Sequence, residues 1–173
     1  MSVERRGAGR WMRMDRQTEE RPAEVFERTK QAGEIRDRWK WIEPSVWTER
    51  MLTALEIGVK GGKWFSLIDK VYNADNLEAS FKKVKANKGA AGVDHQTIEM
   101  SEANLGKNLE RISEDLRLGK YKPQGLRRVE IPKPGCREKR PLGIPTVRDR
   151  IVQTALRNVI EPIFEHDFAK HSY

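Results

Sequence analysis

The sequence predicts an α+β fold, mostly helical in its N-terminal part, with one antiparallel β-hairpin ahead of a last helix. Apolar residues recur every three or four positions from Leu105 to Leu116, which is the spacing of one buried helix face. Residues 127–132 instead alternate polar and apolar side chains, and a turn containing Pro and Gly separates them from a second short run at 141–145. This change of period indicates helices first and a hairpin afterwards.

Four helices are expected before the hairpin. Each follows from an apolar stripe at helical spacing, bounded by a residue that commonly caps or ends a helix. Trp47 and Trp64 lie on these apolar faces and are expected in the core rather than stacked on bases. The expected boundaries are Ser45 to Gly58, Trp64 to Tyr72, Asn73 or Asp75 to Gly89, and Ser101 to Gly119.

The last helix is expected to begin at Thr146, because Asp149 follows three residues later, in the spacing of a capping box. Apolar residues between Ile151 and Ile160 form a broad face that needs a partner layer. Pro162 should kink or restart this helix, since proline cannot donate a backbone hydrogen bond.

The 173 residues suffice for one modest core, so we expect a flexible charged arm at 1–40 and one folded unit at 41–173. No long apolar run or secretory signal is present, which predicts a soluble, cytoplasmic protein without membrane contact. Cys136 and the three histidines lack the spacing of a metal site. No arrangement of carboxylates or nucleophiles suggests a catalytic centre either, so neither catalytic nor metal-binding residues are predicted.

The basic residues are concentrated in one segment. Residues 116–150 hold 11 Lys and Arg but 3 Asp and Glu, a net charge of +8, whereas residues 1–115 hold 21 and 20. A solvated charged face usually mixes both signs, while an excess in one segment favours a polyphosphate partner. The charge therefore indicates a nucleic acid, with a merely soluble basic surface as the alternative.

The predicted hairpin and the residues leading into it carry most of these cations. Arginine forks and lysine ammonium groups both bind phosphate oxygens, and strands would hold them in fixed positions. The alternative is a sheet edge kept from aggregating by its charges. The candidate phosphate-binding residues are Lys120, Lys122, Arg127, Arg128, Lys133, Arg137, Lys139 and Arg140.

A small loop containing glycine, at 85–99, joins the third and fourth predicted helices. Gly89 and Gly92 could bring backbone amides close to a phosphate. They could equally end a helix and turn the chain. Both interpretations stay open from the local sequence.

Three stretches of the chain resemble group II intron reverse transcriptases, a family of RNA-directed DNA polymerases that also act as maturases. The segment VKANKGAAGVDHQTIE is similar to the family's RT-0 motif, here at about residues 85–99. The segment from RRVEIPKPG to EHDFAKHSY is similar to the RT-1 block, at about 127–160, and to the start of the next block. Residues 43–72 resemble the N-terminal extension of bacterial members, so the resemblance covers about residues 41–173.

The resemblance also implies roles for individual residues. Lys133 and Arg140 match the basic pair that contacts the triphosphate of the incoming nucleotide. Arg148 and Arg150 match residues that face nucleic acid. This chain has His95 where a glycine is usual. In the RT-0 loop, which covers the template, the implied nucleic-acid-binding residues are Lys88, Gly89, Gly92 and Asp94.

The implied fold is a helical N-terminal extension packed beside an incomplete fingers subdomain. The implied function is the N-terminal portion of a reverse transcriptase/maturase of a mobile intron, binding intron RNA, template and incoming nucleotide, with a DNA primer and Mg²⁺ used by the full-length enzyme. The family's catalytic aspartates have no counterpart here, so this chain is expected not to polymerise, and a palm and thumb would act with it in cis or in trans. The alternative is a stand-alone, non-catalytic RNA-binding module from a decayed reading frame.

Overall fold

A computed structural model of the chain describes residues 37–59, 64, 66–135 and 137–168. The predicted arm lies outside these residues up to position 36, as do Cys136 and residues 169–173. The helices and the hairpin of the described part confirm the α+β class. The elements are α1 (Glu49–Ile57), α2 (Leu67–Val71), α3 (Ala74–Ala86), α4 (Ile98–Ala103), α5 (Leu105–Arg117), β1 (Arg127–Pro132), β2 (Lys139–Ile144) and α6 (Val147–Asp167).

The core forms around α6, the longest of these helices. α3 packs along α6, while α1 and α2 contact other parts of it. The buried apolar residues of these two helices include Leu77, Phe81 and Val84 on α3 and Val147, Ile151, Val152, Ala155 and Val159 on α6. Their helical spacing explains why both segments fold as helices, since each large side chain gains roughly 1.5–3 kcal/mol on burial. Trp39 and Trp47 are also buried in this core, and Trp64 packs against it.

A buried polar network joins α3 to α6. The side-chain amide of Asn158 donates to Asn76 Oδ1 at 2.9 Å and to Ser80 Oγ at 3.2 Å. Its oxygen accepts from Lys83 Nζ at 2.9 Å. Asn76 in turn donates to the backbone carbonyl of Ala155 at 3.1 Å. These pairings offset the cost of burying amides, and because they are directional they fix how the two helices are aligned.

Pro162 lies inside α6, yet the helix continues through it to Asp167 rather than restarting. Proline has no N–H, so the carbonyl of Asn158, four residues earlier, loses its helical donor. The indole Nε1 of Trp47 donates to that carbonyl at 2.9 Å. A side chain from outside the helix therefore replaces the missing backbone bond.

Two helix starts were predicted correctly. The side chain of Asn73 accepts from the backbone N of Asp75 at 2.8 Å and caps α3. Thr146 caps α6, its hydroxyl accepting from the backbone N of Asp149 at 3.1 Å. α3 ends before the predicted Gly89, because Lys88 already has a left-handed backbone with a φ of +46°.

The start predicted for the first helix was wrong. α1 begins behind Thr48 and not behind Ser45. Val46 and Trp47 are buried in the turn that precedes the helix. The apolar stripe counted from Val46 therefore included residues that pack into the core without being helical.

The start predicted for the fourth helix was also wrong. Ser101 is a buried residue within the short α4, which Thr97 caps through its side chain. The helical conformation is interrupted at Asn104, and a separate helix, α5, begins at Leu105. Gly119 ends α5 as predicted, with a φ of +65° that glycine adopts without strain.

Most of the broad apolar face of α6 is covered within the chain, by α1, α2 and α3. Leu156 remains 43% exposed, and Phe164 and Phe168 stack on each other at 6.5 Å at the exposed end of the helix. No helix in the described ranges is long and apolar enough to cross a membrane.

β1 and β2 form a two-stranded antiparallel ribbon, with Arg127 opposite Ile144 and Pro132 opposite Lys139. Within the described residues these strands pair only with each other. Both are therefore edge strands, which is the setting in which Pro132 and Pro141 are tolerated, as the sequence predicted.

Replacing Asn158 with Ala should lower the free energy of unfolding by about 2–4 kcal/mol, because Asn76, Ser80 and Lys83 lose a buried partner at once. Urea denaturation followed by circular dichroism measures this. The matched control is Arg157→Ala next to it, which removes a surface ion pair with Glu161 and should change stability by less than about 0.5 kcal/mol. Equal effects of the two substitutions would contradict a structural role for the network.

Candidate nucleic-acid interface

The two faces of the hairpin carry different cations. Residues directly opposite each other in an antiparallel pair share a face. Ile131 lies opposite Arg140, so Arg140 belongs to the face that includes the half-buried Arg127 and Ile131. Arg128 and Lys139 alternate with these residues and lie on the other face.

Lys133 extends the first of these faces toward the turn. Its backbone N donates to the carbonyl of Glu138 at 3.0 Å, which continues the ladder by one pair. Its ammonium group lies 2.8 Å from Glu138 Oε2 in an exposed ion pair. Because Lys133 is two residues beyond Ile131, it is a diagonal neighbour of Arg140, and such neighbours are roughly 7–8 Å apart.

Most of the other predicted cations are open to solvent, and all of these except Lys88 lie in the basic segment. The exposed ones are Lys88, Lys120, Lys122, Arg128, Arg137, Lys139 and Arg140. An exposed charge keeps its hydration until a phosphate approaches, and it releases counterions when one binds. The structure thus places these side chains where a polyanion could reach them.

Arg127 and Arg150 have a different setting, because both contact the loop between α3 and α4, residues 87–97. Arg127 Nη1 donates to the carbonyl of Ala91 at 3.1 Å. Arg150 Nη2 donates to the carbonyl of Ala90 at 2.7 Å. Burial lowers the pKa of the Arg150 guanidinium, and its Nε is buried without a hydrogen-bond partner. These two arginines bind the protein's own backbone.

The two predicted glycines of the loop lie at its closest approaches to the rest of the chain. A Cβ on Gly89 would be 2.1 Å from Arg150 Nη1, and one on Gly92 would be 2.6 Å from the Cα of Thr146. At Gly92 the neighbouring atoms are backbone, so the position has no room for a side chain, whereas a side chain at Gly89 would displace the end of Arg150. His95 takes a left-handed φ of +57°, a conformation that favours glycine, the residue that the family resemblance implies at this position. Asp94 is exposed and its Oδ1 accepts from the backbone N of Gln96.

Arg148, the last predicted contact, is held by two residues that sequence reasoning had not assigned to the interface. Its Nη2 donates to Asp115, and its guanidinium lies 5.4 Å from the ring centroid of Tyr121. Asp115 is partly buried by this pair. No local signal identifies the contact, since 33 residues separate the partners.

Asp149 collects hydrogen bonds from the segment that leads into the hairpin. It accepts from the hydroxyl of Tyr121 at 2.5 Å and from the backbone N of Gln124 at 3.1 Å, besides the Thr146 hydroxyl at 2.8 Å. Burial and the bond to Asp149 raise the pKa of the Tyr121 hydroxyl. The sequence assigned Asp149 to the start of α6, and the structure adds that it ties residues 121–124 to that helix.

A cavity of about 270 Å³ lies between the loop, α5 and the start of α6. Gln96, Asn108 and Gln124 line it together with Ile112 and Ile151. Since the loop forms one of its walls, the position of the loop determines the shape of this cavity.

The Mg²⁺ that the family resemblance implies finds no ligand set in the described ranges. No three His, Cys, Asp or Glu side chains there lie close enough to hold a metal ion. We therefore assign no residue of this part of the chain to metal binding.

Replacing Tyr121 with Phe should lower the free energy of unfolding at pH 7 by about 1–2 kcal/mol, through loss of a partly buried hydrogen bond to a carboxylate. The raised pKa keeps Tyr121 neutral in the folded state, so this contribution is complete below about pH 10 and is lost as the pH rises further. The difference from the native chain should accordingly shrink above about pH 10. Urea titrations of both chains at pH 7 and above about pH 10 measure this difference in the free energy of unfolding.

Tyr72→Phe is the control, because that hydroxyl donates to Asp69 at the surface and its removal should have a smaller effect. If the loss in the free energy of unfolding caused by Tyr121→Phe grew with pH, that result would contradict a stabilising hydrogen bond from Tyr121 to Asp149.

Comparison with known proteins places these features in a family context. Protein YkfC of Escherichia coli K12 is 46% identical over 90 residues, covering 51% of this chain and 23% of that protein. The group II intron-encoded protein LtrA of Lactococcus lactis subsp. cremoris is 35% identical over 102 residues, covering 57% of this chain and 16% of LtrA. The chain thus matches less than a quarter of the length of either relative, and no protein-family model matches it. These similarities confirm that the chain resembles the group II intron reverse transcriptase/maturase family.

Proposed function

We propose that this chain is the N-terminal portion of a group II intron-encoded reverse transcriptase/maturase and that it binds intron RNA and template through its hairpin. The observation that carries the proposal is a ribbon with cations exposed on both faces, within a segment of net charge +8. Similarity to an intron-encoded protein supports RNA as the polyanion. A DNA primer would use the same phosphate chemistry.

The geometry of the ribbon would let a phosphate backbone approach from two sides. Here Arg140 and Lys133 lie on one face and Arg128 and Lys139 on the other, so a backbone could be gripped from either side. The pair between Lys133 and Glu138 is exposed and therefore weak, and a phosphate could displace it.

Replacing Lys133, Arg137, Lys139 and Arg140 with Ala should flatten the salt dependence of RNA binding. Each phosphate contact contributes a slope of about −0.7 to −0.9 in log K against log salt. Loss of these contacts should therefore reduce the magnitude of the slope by roughly two to four. Unrelated RNA sequences should be affected alike, because phosphate contacts do not read bases. Filter binding or fluorescence anisotropy between about 50 and 200 mM salt measures the slope.

The matched control removes four exposed cations elsewhere, at Lys40, Lys82, Lys107 and Arg157. It lowers the net charge equally but should leave the slope close to that of the native chain. If both variants flatten the slope to the same degree, the charge acts through the whole molecule and the ribbon is not the binding site.

We further propose that Lys133 and Arg140 bind the triphosphate of the incoming nucleotide. Their positions as diagonal neighbours on one face would let an ammonium and a guanidinium contact adjacent phosphate groups. Mg²⁺ would accompany the nucleotide in the full-length enzyme. We do not extend the proposal to polymerisation by this chain, because the described residues bring no cluster of carboxylates together.

The double substitution of Lys133 and Arg140 by Ala should weaken binding of a fluorescent deoxynucleoside triphosphate, measured with Mg²⁺ present, by about tenfold or more. Its control is the same change at Arg128 and Lys139, which removes two charges from the opposite face and should cost less than about threefold. Equal losses would argue against a specific pair. RNA binding by a chain that binds no triphosphate would instead favour the alternative function, a stand-alone RNA-binding module.

A further inference from the structure

We propose that Arg127 and Arg150 are positioning residues: they clamp the 87–97 loop from inside the protein and support RNA binding through that loop, without contacting phosphate themselves. The part of this inference that concerns RNA rests on the proposed function. The clamp itself does not, and it can be tested without RNA.

Arg150 contacts the loop at two points. Its Nη2 donates to the carbonyl of Ala90, and its Nη1 occupies the space that a Cβ on Gly89 would need. Its Nε is buried and unpaired within the protein. A guanidinium in this position cannot offer the open fork that grips a phosphate with two parallel bonds.

Arg127 holds the same loop from the hairpin. It is the first residue of β1, is half-buried, and donates to the carbonyl of Ala91, next to the residue that Arg150 holds. Two consecutive carbonyls are thus bound by arginines from two different elements. The loop therefore cannot move away from α6 without also losing its contact with the ribbon.

The loop is pressed against α6 at a third point. Gly92 lies so close to Thr146 that a side chain could not be accommodated, and this contact directly precedes the helix. With its inner side fixed at Gly92 and at both held carbonyls, the loop exposes Val93, Asp94 and His95. A surface held in one conformation binds without an ordering cost, so the clamp would raise RNA affinity by preorganisation.

The test separates geometry from charge. Arg150→Lys keeps the charge but loses the planar fork, and Gly89→Ala keeps the arginine but displaces its Nη1 from the loop. Backbone order parameters of residues 89–94, from ¹⁵N relaxation, should fall from about 0.85 to below about 0.6 in both variants and in Arg150→Ala and Arg127→Ala. Arg128→Ala, on the outer face of the ribbon, should leave them unchanged. Circular dichroism confirms that each variant is folded.

RNA binding then distinguishes positioning from contact. In Arg150→Lys and Gly89→Ala the affinity should fall about three- to tenfold while the salt slope stays that of the native chain, because no phosphate contact has been removed. An ordered loop with native affinity in Arg150→Lys, together with a slope reduced by about 0.7–0.9 in Arg150→Ala, would make Arg150 a phosphate ligand and overturn the proposal. A loosened loop with unchanged affinity would overturn the role in binding. If the native chain binds no RNA, the proposed function fails, and the order parameters still decide whether the clamp exists.

Discussion

The hydrogen bonds around Asn158 determine how α6 lies in the fold, and the surface features of the chain follow from that placement. The side chain of Asn158 joins α6 to Asn76 and Ser80 of α3, and its backbone carbonyl receives the indole of Trp47. That carbonyl is available because Pro162 has no N–H to offer it. One residue thus joins three segments, through groups that would each be costly to bury alone.

The N-terminal end of α6 holds the surface segments beside it in place. Asp149 binds the segment that leads into the hairpin, and Arg150 binds the loop that follows α3. The cations of the basic segment, residues 116–150, therefore form two groups. The inner arginines bind the protein's own carboxylates and carbonyls, whereas the outer lysines and arginines remain hydrated. A count of charges alone would have treated both groups alike.

Local sequence was sufficient for features that depend on neighbours in the chain. The caps at Asn73 and Thr146, the glycine that ends α5 and the alternation within β1 were all predictable, because each depends on residues a few positions apart. The start of α1 was not, since Trp47 is apolar for a tertiary reason and not a helical one. Periodicity cannot tell these two causes of burial apart.

The candidate site was predictable only as a set of residue types. The basic segment and the loop could be identified from composition and resemblance, but the partners of its arginines could not. Arg127 and Arg150 reach across 36 and 60 residues to their carbonyls. Contacts at such separations leave no pattern in a single sequence, because the fold must first bring their elements together.

The bond from Trp47 to Asn158 also constrains the order in which the chain can fold. Its partners are 111 residues apart, and those of the bond from Asn158 to Asn76 are 82 residues apart. Contacts between residues so far apart in the sequence form late, because closing the long intervening loop costs entropy before the contact contributes any stability. During synthesis α1, α2 and α3 therefore leave the ribosome before α6, the helix against which they pack, and their apolar faces stay open until α6 emerges. The core of the described residues is thus completed by the helix that follows the others in the chain.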